Sequence, residues 1–119
     1  MAKFALLIYE DESAGPKPPS PEWQALWAAY VALDEEAKAA GVLVDSQPFA
    51  PAASAAVVSV RAEEMARRAG PTWPTARQLT GYYLVDCPNE AAAVSWALRI
   101  PAAATGEVEI RRILDGPAG

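Results

Sequence analysis

The sequence contains no histidine, and this removes the usual general base at neutral pH, the commonest zinc ligand and every Ser-His or Cys-His nucleophile. Any catalysis must draw on carboxylates, tyrosines, lysines or arginines. Cysteine is almost missing as well: Cys87 stands alone and cannot make an internal disulfide. Glycine-rich phosphate loops are absent, so neither a nucleotide cofactor nor a metal centre is expected. No apolar run approaches the roughly 20 residues a bilayer requires, because Lys3 and Glu10 bound the first one. The opening MAKFALLIYE lacks the length and cleavage site of a signal peptide. A cytoplasmic protein that does not span a membrane is expected. Positive charge is scarce too: 10 Lys and Arg against 15 Asp and Glu leave a net charge of -5, which argues against nucleic acid as a partner.

What is present is the composition of one globular domain over residues 1–119, with 52% hydrophobic and 21% charged residues. The clearest stretch is LTGYYLVDCPNEAAAVSWALRIP, from Leu79 to Pro101. Tyr82 to Val85 read as a buried strand. Asn89 stands as an N-cap, Glu90 complements the helix dipole, and Ala93, Val94, Trp96, Ala97 and Ile100 recur at helical spacing until Pro101.

Upstream, Phe4 to Tyr9 form a strand apolar on both faces, which suits a central position. The acidic Glu10, Asp11 and Glu12 lead into a proline-rich loop and read as solvated charge rather than a cation site. Ser20 and Pro21 then open an amphipathic helix whose stripe runs Trp23, Leu26, Trp27, Tyr30, Leu33, Ala37 and Ala40, closed by Gly41. Short strands follow over Val42 to Gln47 and Ala56 to Arg61, with a last one over Glu107 to Ile113. Ala62 to Ala69 has strong helix formers before Gly70-Pro71 and predicts a short helix. Trp73 lies between prolines, either as a lid or contact surface or as a plug for the edge of the core.

The order is thus β-α-β-β-(insert)-β-α-β, an α+β ferredoxin-like arrangement with an extra element. Strands with one apolar and one mixed face imply helices on one side of the sheet only, and the face left open suggests a homodimer.

The combination of FALLIYEDE, AAGVLV, Gln78-Leu79 before GYYLVD, and Trp96-Ala97 ending at Ile100-Pro101 resembles the YCII-related proteins, in particular the branch named for a DGPF motif. The resemblance implies a ferredoxin-like α+β fold paired into a dimeric α+β barrel. The motif region falls on Ala69 to Gly81, where Gly70, Pro71, Thr75, Gln78, Leu79 and Gly81 are kept and the motif's aspartate and phenylalanine are not. The strand that ordinarily precedes the motif is replaced by the helix-prone AEEMARRA. Some relatives have a His and Asp pair proposed as an active site; here Tyr30 lies near the corresponding helical position. Association of such relatives with sigma factors suggests a regulatory alternative by resemblance only.

Two functions follow from these residues. One is an acid–base enzyme of lyase or isomerase type, with Tyr9 and Tyr30 as proton donors, Asp86, Glu107 or Glu109 as base, and Arg61 or Arg111 holding an anionic substrate. The other is a non-catalytic ligand-binding or accessory protein. For either, a small-molecule site is expected between the mixed sheet face and the Gly70 to Gln78 loop, near Tyr9, Tyr30, Arg61, Trp73, Arg77 and Tyr82. The competing reading makes Glu107, Glu109, Arg61 and Arg111 cross-strand charge pairs, and Asp86 a turn or cap residue.

Overall fold

The computed structural model describes residues 1–116. In chain order the elements are β1 (Ala2–Asp11), α1 (Pro21–Ala39), β2 (Leu43–Pro48), β3 (Ala56–Arg61), β4 (Glu64–Ala69), β5 (Arg77–Cys87), α2 (Glu90–Ala97) and β6 (Glu107–Arg112). Four strands form one antiparallel sheet in the order β2-β5-β1-β6, with β1 central as its two apolar faces suggested. Disregarding β3 and β4, that is the ferredoxin-like order, and the fold is α+β.

Both helices pack on one face. Phe4, Leu6 and Ile8 of β1 and Tyr83, Val85 and Cys87 of β5 point inward to meet Leu33, Ala93, Ala97 and Ile100. Leu6 is 1% exposed, and burying such a side chain stabilises the fold by about 1.5–3 kcal/mol. The opposite face, carrying Ala5, Leu7, Tyr9, Tyr82, Leu84 and Asp86, has no helix over it among the described residues. No helix there is long and apolar enough to cross a membrane.

The helix starts follow the capping chemistry. Ser20 Oγ accepts from the Trp23 amide at 3.2 Å, with Pro21 in the first turn, and Asn89 Oδ1 accepts from the Ala92 amide at 3.0 Å. Helix α2 ends at Ala97, earlier than its apolar spacing suggests; Ile100 still reaches the core, and Pro101 begins a short 3₁₀ turn to Ala104.

The segment Ala62 to Ala69 corrects the sequence reading. Instead of a helix it supplies β4, which pairs antiparallel with β3 as a separate two-stranded sheet. The turn between them places Ala62 at φ 50° and Glu63 at φ 68°, the left-handed pair that a two-residue hairpin turn demands. Helix propensity is a weak preference, and pairing with the valine-rich β3 overrides it. The segment before Gly70-Pro71 is therefore a strand, while β3 leaves the main sheet it was expected to join. The hairpin stands off as an arm: every β4 residue is exposed, and Val58, Val60 and Met65 keep 69%, 62% and 80% of their surface in solvent.

Two irregularities adjust which side chains face the helices. Ile8 pairs with Gly81 but Tyr9 pairs with Leu79, so Thr80 is an extra residue on β5. Leu43 pairs with Val85 and Asp45 with Leu84, so Val44 is extra on β2. Each is a β-bulge.

Candidate functional site

Only the second half of α1 seats in the core, through Leu33 and Ala37. Its first half stands away from the sheet, and the space beneath is a cavity of about 300 Å³, at the lower end of the usual range for small-molecule pockets. Trp23, Leu26, Trp27, Tyr30 and Val31 form the helical wall, and Ile8 and Tyr83 contribute from the sheet. The polar residues on it are Glu10, Asp34, Ser46, Gln47 and Thr80, with the three tyrosines Tyr30, Tyr82 and Tyr83.

These groups are positioned by specific bonds. Tyr83 Oη donates to Asp34 Oδ1 at 2.5 Å, joining β5 to α1, and Ser46 Oγ approaches Asp34 Oδ2 at 3.4 Å. Thr80, displaced by its bulge, donates through Oγ1 to Glu10 Oε1 at 2.8 Å. Burial, together with the bond to Asp34, pushes the Tyr83 phenol far above its ordinary value. Burial, with Glu10 nearby, pushes Tyr30 up to about 12. Both phenols are protonated at neutral pH and act as hydrogen-bond donors. The Tyr30 hydroxyl lies against the Ala102 amide, and among the described residues its own proton goes to no protein acceptor.

Of the residues expected from sequence, Tyr30 and Tyr82 border this cavity; the others do not line it. Tyr82 lies at the rim, its hydroxyl donating to Asp45 Oδ2 at 2.5 Å and its ring 5.8 Å from that of Phe49. The bond to Asp45 raises the Tyr82 pKa and lowers that of Asp45. Tyr9 and Asp86 lie on the opposite, uncovered face; Tyr9 is at the level of Leu79 while Asp86 pairs with Lys3, six positions along β1, roughly 20 Å away at about 3.3 Å per residue. They do not meet each other or Tyr30. Arg61 sits at the far end of the arm, its Nη1 bonded to the Val60 carbonyl at 3.1 Å. Arg77 pairs with Glu107 on β6, whereas Arg111 pairs with Glu109 two residues away on the same strand, so the cross-strand alternative does not describe Arg111 or Arg61.

Trp73 is 73% exposed and plugs nothing. Its loop is held from outside: Gln78 Nε2 donates to the Trp73 and Thr75 carbonyls at 2.6 and 2.8 Å, and Arg68 to the Pro71 and Thr72 carbonyls at 2.8 and 3.0 Å.

Asp34, Tyr83, Glu10 and Thr80 were missed by sequence reasoning. Asp34 follows Tyr30 by one helical turn, and Tyr83 shares the inward face of β5 with Val85 and Cys87, so a tyrosine in an otherwise apolar row was the available signal. Among the described residues no group of three or more Cys, Asp or Glu is arranged to hold a metal ion.

Compared with known families, residues 2–116 match the YCII-related domain, and the chain belongs to that family. No curated protein matches it.

Proposed function

We propose that this YCII-related protein binds a small organic molecule in the cavity under α1 and transfers a proton on it, as an isomerase or lyase that works without histidine. The observation that carries this reading is the convergence of Tyr30, Asp34 and Tyr83 on one cavity, with Tyr83 bonded to Asp34 at 2.5 Å. Tyr83 fixes the carboxylate by occupying Oδ1, and the other oxygen of Asp34 takes a proton from an acidic C–H of the substrate. The Tyr30 hydroxyl donates a hydrogen bond to the oxygen on which charge accumulates, and its high pKa keeps it a donor throughout. Trp23 and Trp27 supply apolar contact that holds the substrate body.

The experiment is a small-molecule screen followed by tryptophan emission and thermal shift, repeated on variants. Trp27→Ala is expected to weaken any hit by about 1–3 kcal/mol, as for the loss of one aromatic anchor, while Trp73→Ala leaves it unchanged. In D₂O the hit should exchange a C–H for C–D, seen by NMR, and Asp34→Asn should abolish that exchange. Hits that bind Trp27→Ala as tightly as the native chain would refute the site. Binding without exchange would refute the enzyme and favour an accessory role, for which the unpartnered Val58, Val60 and Met65 of the arm offer a protein-contact surface.

The uncovered sheet face supports a homodimer in which two such sheets close into an α+β barrel. Ala5, Leu7, Tyr82 and Leu84 are only half-buried there, the apolar surface that a second copy would cover. Sedimentation equilibrium at micromolar concentration tests this: a species of 12.6 kDa would exclude the pairing.

A further inference from the structure

We propose that the ligand of the cavity under α1 is an organic cation, a small compound with a protonated amine attached to an apolar body. This rests on the reading that the cavity is the ligand site and names the chemistry its walls select.

One wall is aromatic. Trp23 and Trp27 stack with ring centroids 5.5 Å apart and an angle of 28° between planes, and Tyr30 continues the same helical stripe. Aromatic faces carry negative potential and attract cations, indole most strongly. The other side presents two carboxylates, Glu10 and Asp34. Neither is in an ion pair among the described residues, where the ion pairs engage Glu36, Glu107, Glu109 and Asp115. No lysine or arginine lines the cavity. The bonds that Glu10 and Asp34 receive come from the hydroxyls of Thr80, Tyr83 and Ser46, which are neutral and leave both negative charges in place.

Half-buried carboxylates without a counter-charge favour a cationic ligand, because the ammonium restores the charge balance where water is partly excluded. An anionic ligand would meet two like charges. The arginines expected to hold such an anion are elsewhere, Arg61 on the arm and Arg111 paired with Glu109. A hard metal cation is a poor match, since two carboxylates among indole rings do not make the oxygen cage it requires. An ammonium on an apolar body uses both walls at once.

The test compares three probes of similar shape, 2-phenylethylamine, 2-phenylethanol and 3-phenylpropanoate, titrated against the full chain by tryptophan emission and calorimetry. The amine is expected to bind about tenfold tighter than the alcohol, with the carboxylate weakest, and the preference should shrink as salt rises. Glu10→Gln should reduce the amine's advantage to about twofold while leaving alcohol binding unchanged. Asp34→Asn gives a second variant of the same shape should Glu10→Gln fold poorly. Equal binding of amine and alcohol, or preference for the carboxylate, would overturn the cation while leaving the cavity as the ligand site. If none of the three perturbs emission at about 10 mM, far above a typical pocket Kd, the cation and the site fall together.

Discussion

The Tyr83 phenol on β5 and the Asp34 carboxylate on α1 meet at 2.5 Å, and this bond spans the one place where the helix begins to leave the sheet. It therefore has two roles: it anchors the helix and it orients the carboxylate.

Tyr83→Phe should consequently cost about 1.5–3 kcal/mol of stability, the range for a hydrogen bond to a charged group. Asp34→Asn should cost a similar amount, and the double variant less than the sum. A urea-unfolding double-mutant cycle measures the coupling, and strict additivity would show that the bond does not hold the helix.

Alkaline pH should destabilise the fold in a defined window. Tyr83 and Tyr30 have pKa values raised in the folded state, so the folded chain retains protons that the unfolded chain loses. Their stabilising contribution is fully present below about pH 10, the ordinary tyrosine pKa, and is lost as pH rises through the folded values, about 12 for Tyr30. The urea midpoint should fall above about pH 10, and Tyr83→Phe should flatten that fall. A phenolate absorbance transition complete by about pH 10.5 in the folded protein would contradict it.

Gly106 is the position least able to accept a side chain. A Cβ built there would lie 2.1 Å from the Tyr9 carbonyl oxygen, a backbone atom with little freedom to move. Gly106→Ala should lower stability by about 1–3 kcal/mol, read from the thermal midpoint, with the larger loss expected because β1 is central. An unchanged midpoint would mean that β6 shifts outward without cost.

The arm's turn invites the opposite change. Ala62 and Glu63 occupy left-handed conformations that asparagine and glycine adopt more readily. Ala62→Asn with Glu63→Gly should stabilise the hairpin by roughly 0.5–1 kcal/mol and slow hydrogen exchange of the β3 and β4 amides. Faster exchange would indicate that the native pair is held by contacts outside the turn.

Much of the architecture was legible because its signals are local. Caps at Ser20 and Asn89, the stripe of α1 and the inward alternation of β1 each depend on neighbours within a few positions. The arm was not legible: AEEMARRA has helical propensity, and what decides its state is pairing with β3 across a turn that lacks glycine. The site was hidden for a different reason. Asp34 and Tyr83 are 49 residues apart, and nothing in either local pattern announces their bond. Tyr9 and Asp86 fell on the other face because alternation fixes only which residues share a side, and which side the helices cover is settled by packing.

The bulge at Thr80 makes the acidity of the cavity depend on counting. Above it, the odd-numbered residues Tyr83, Val85 and Cys87 face the helices; below it, Gln78 pairs with Glu10, and Leu79 and Arg77 turn to the uncovered side, where Arg77 meets Glu107. Were the bulge ironed out with every residue kept, the parity of the strand would run unbroken, Leu79 would fall opposite Glu10 and Arg77 two residues further on would face the helix side. The guanidinium would then neutralise from within the charge that now faces the cavity. One bulged residue thus keeps the two signs on separate sides of a single sheet, and a one-residue slip of register at this point would alter the electrostatic character of the pocket without replacing any residue that lines its aromatic wall.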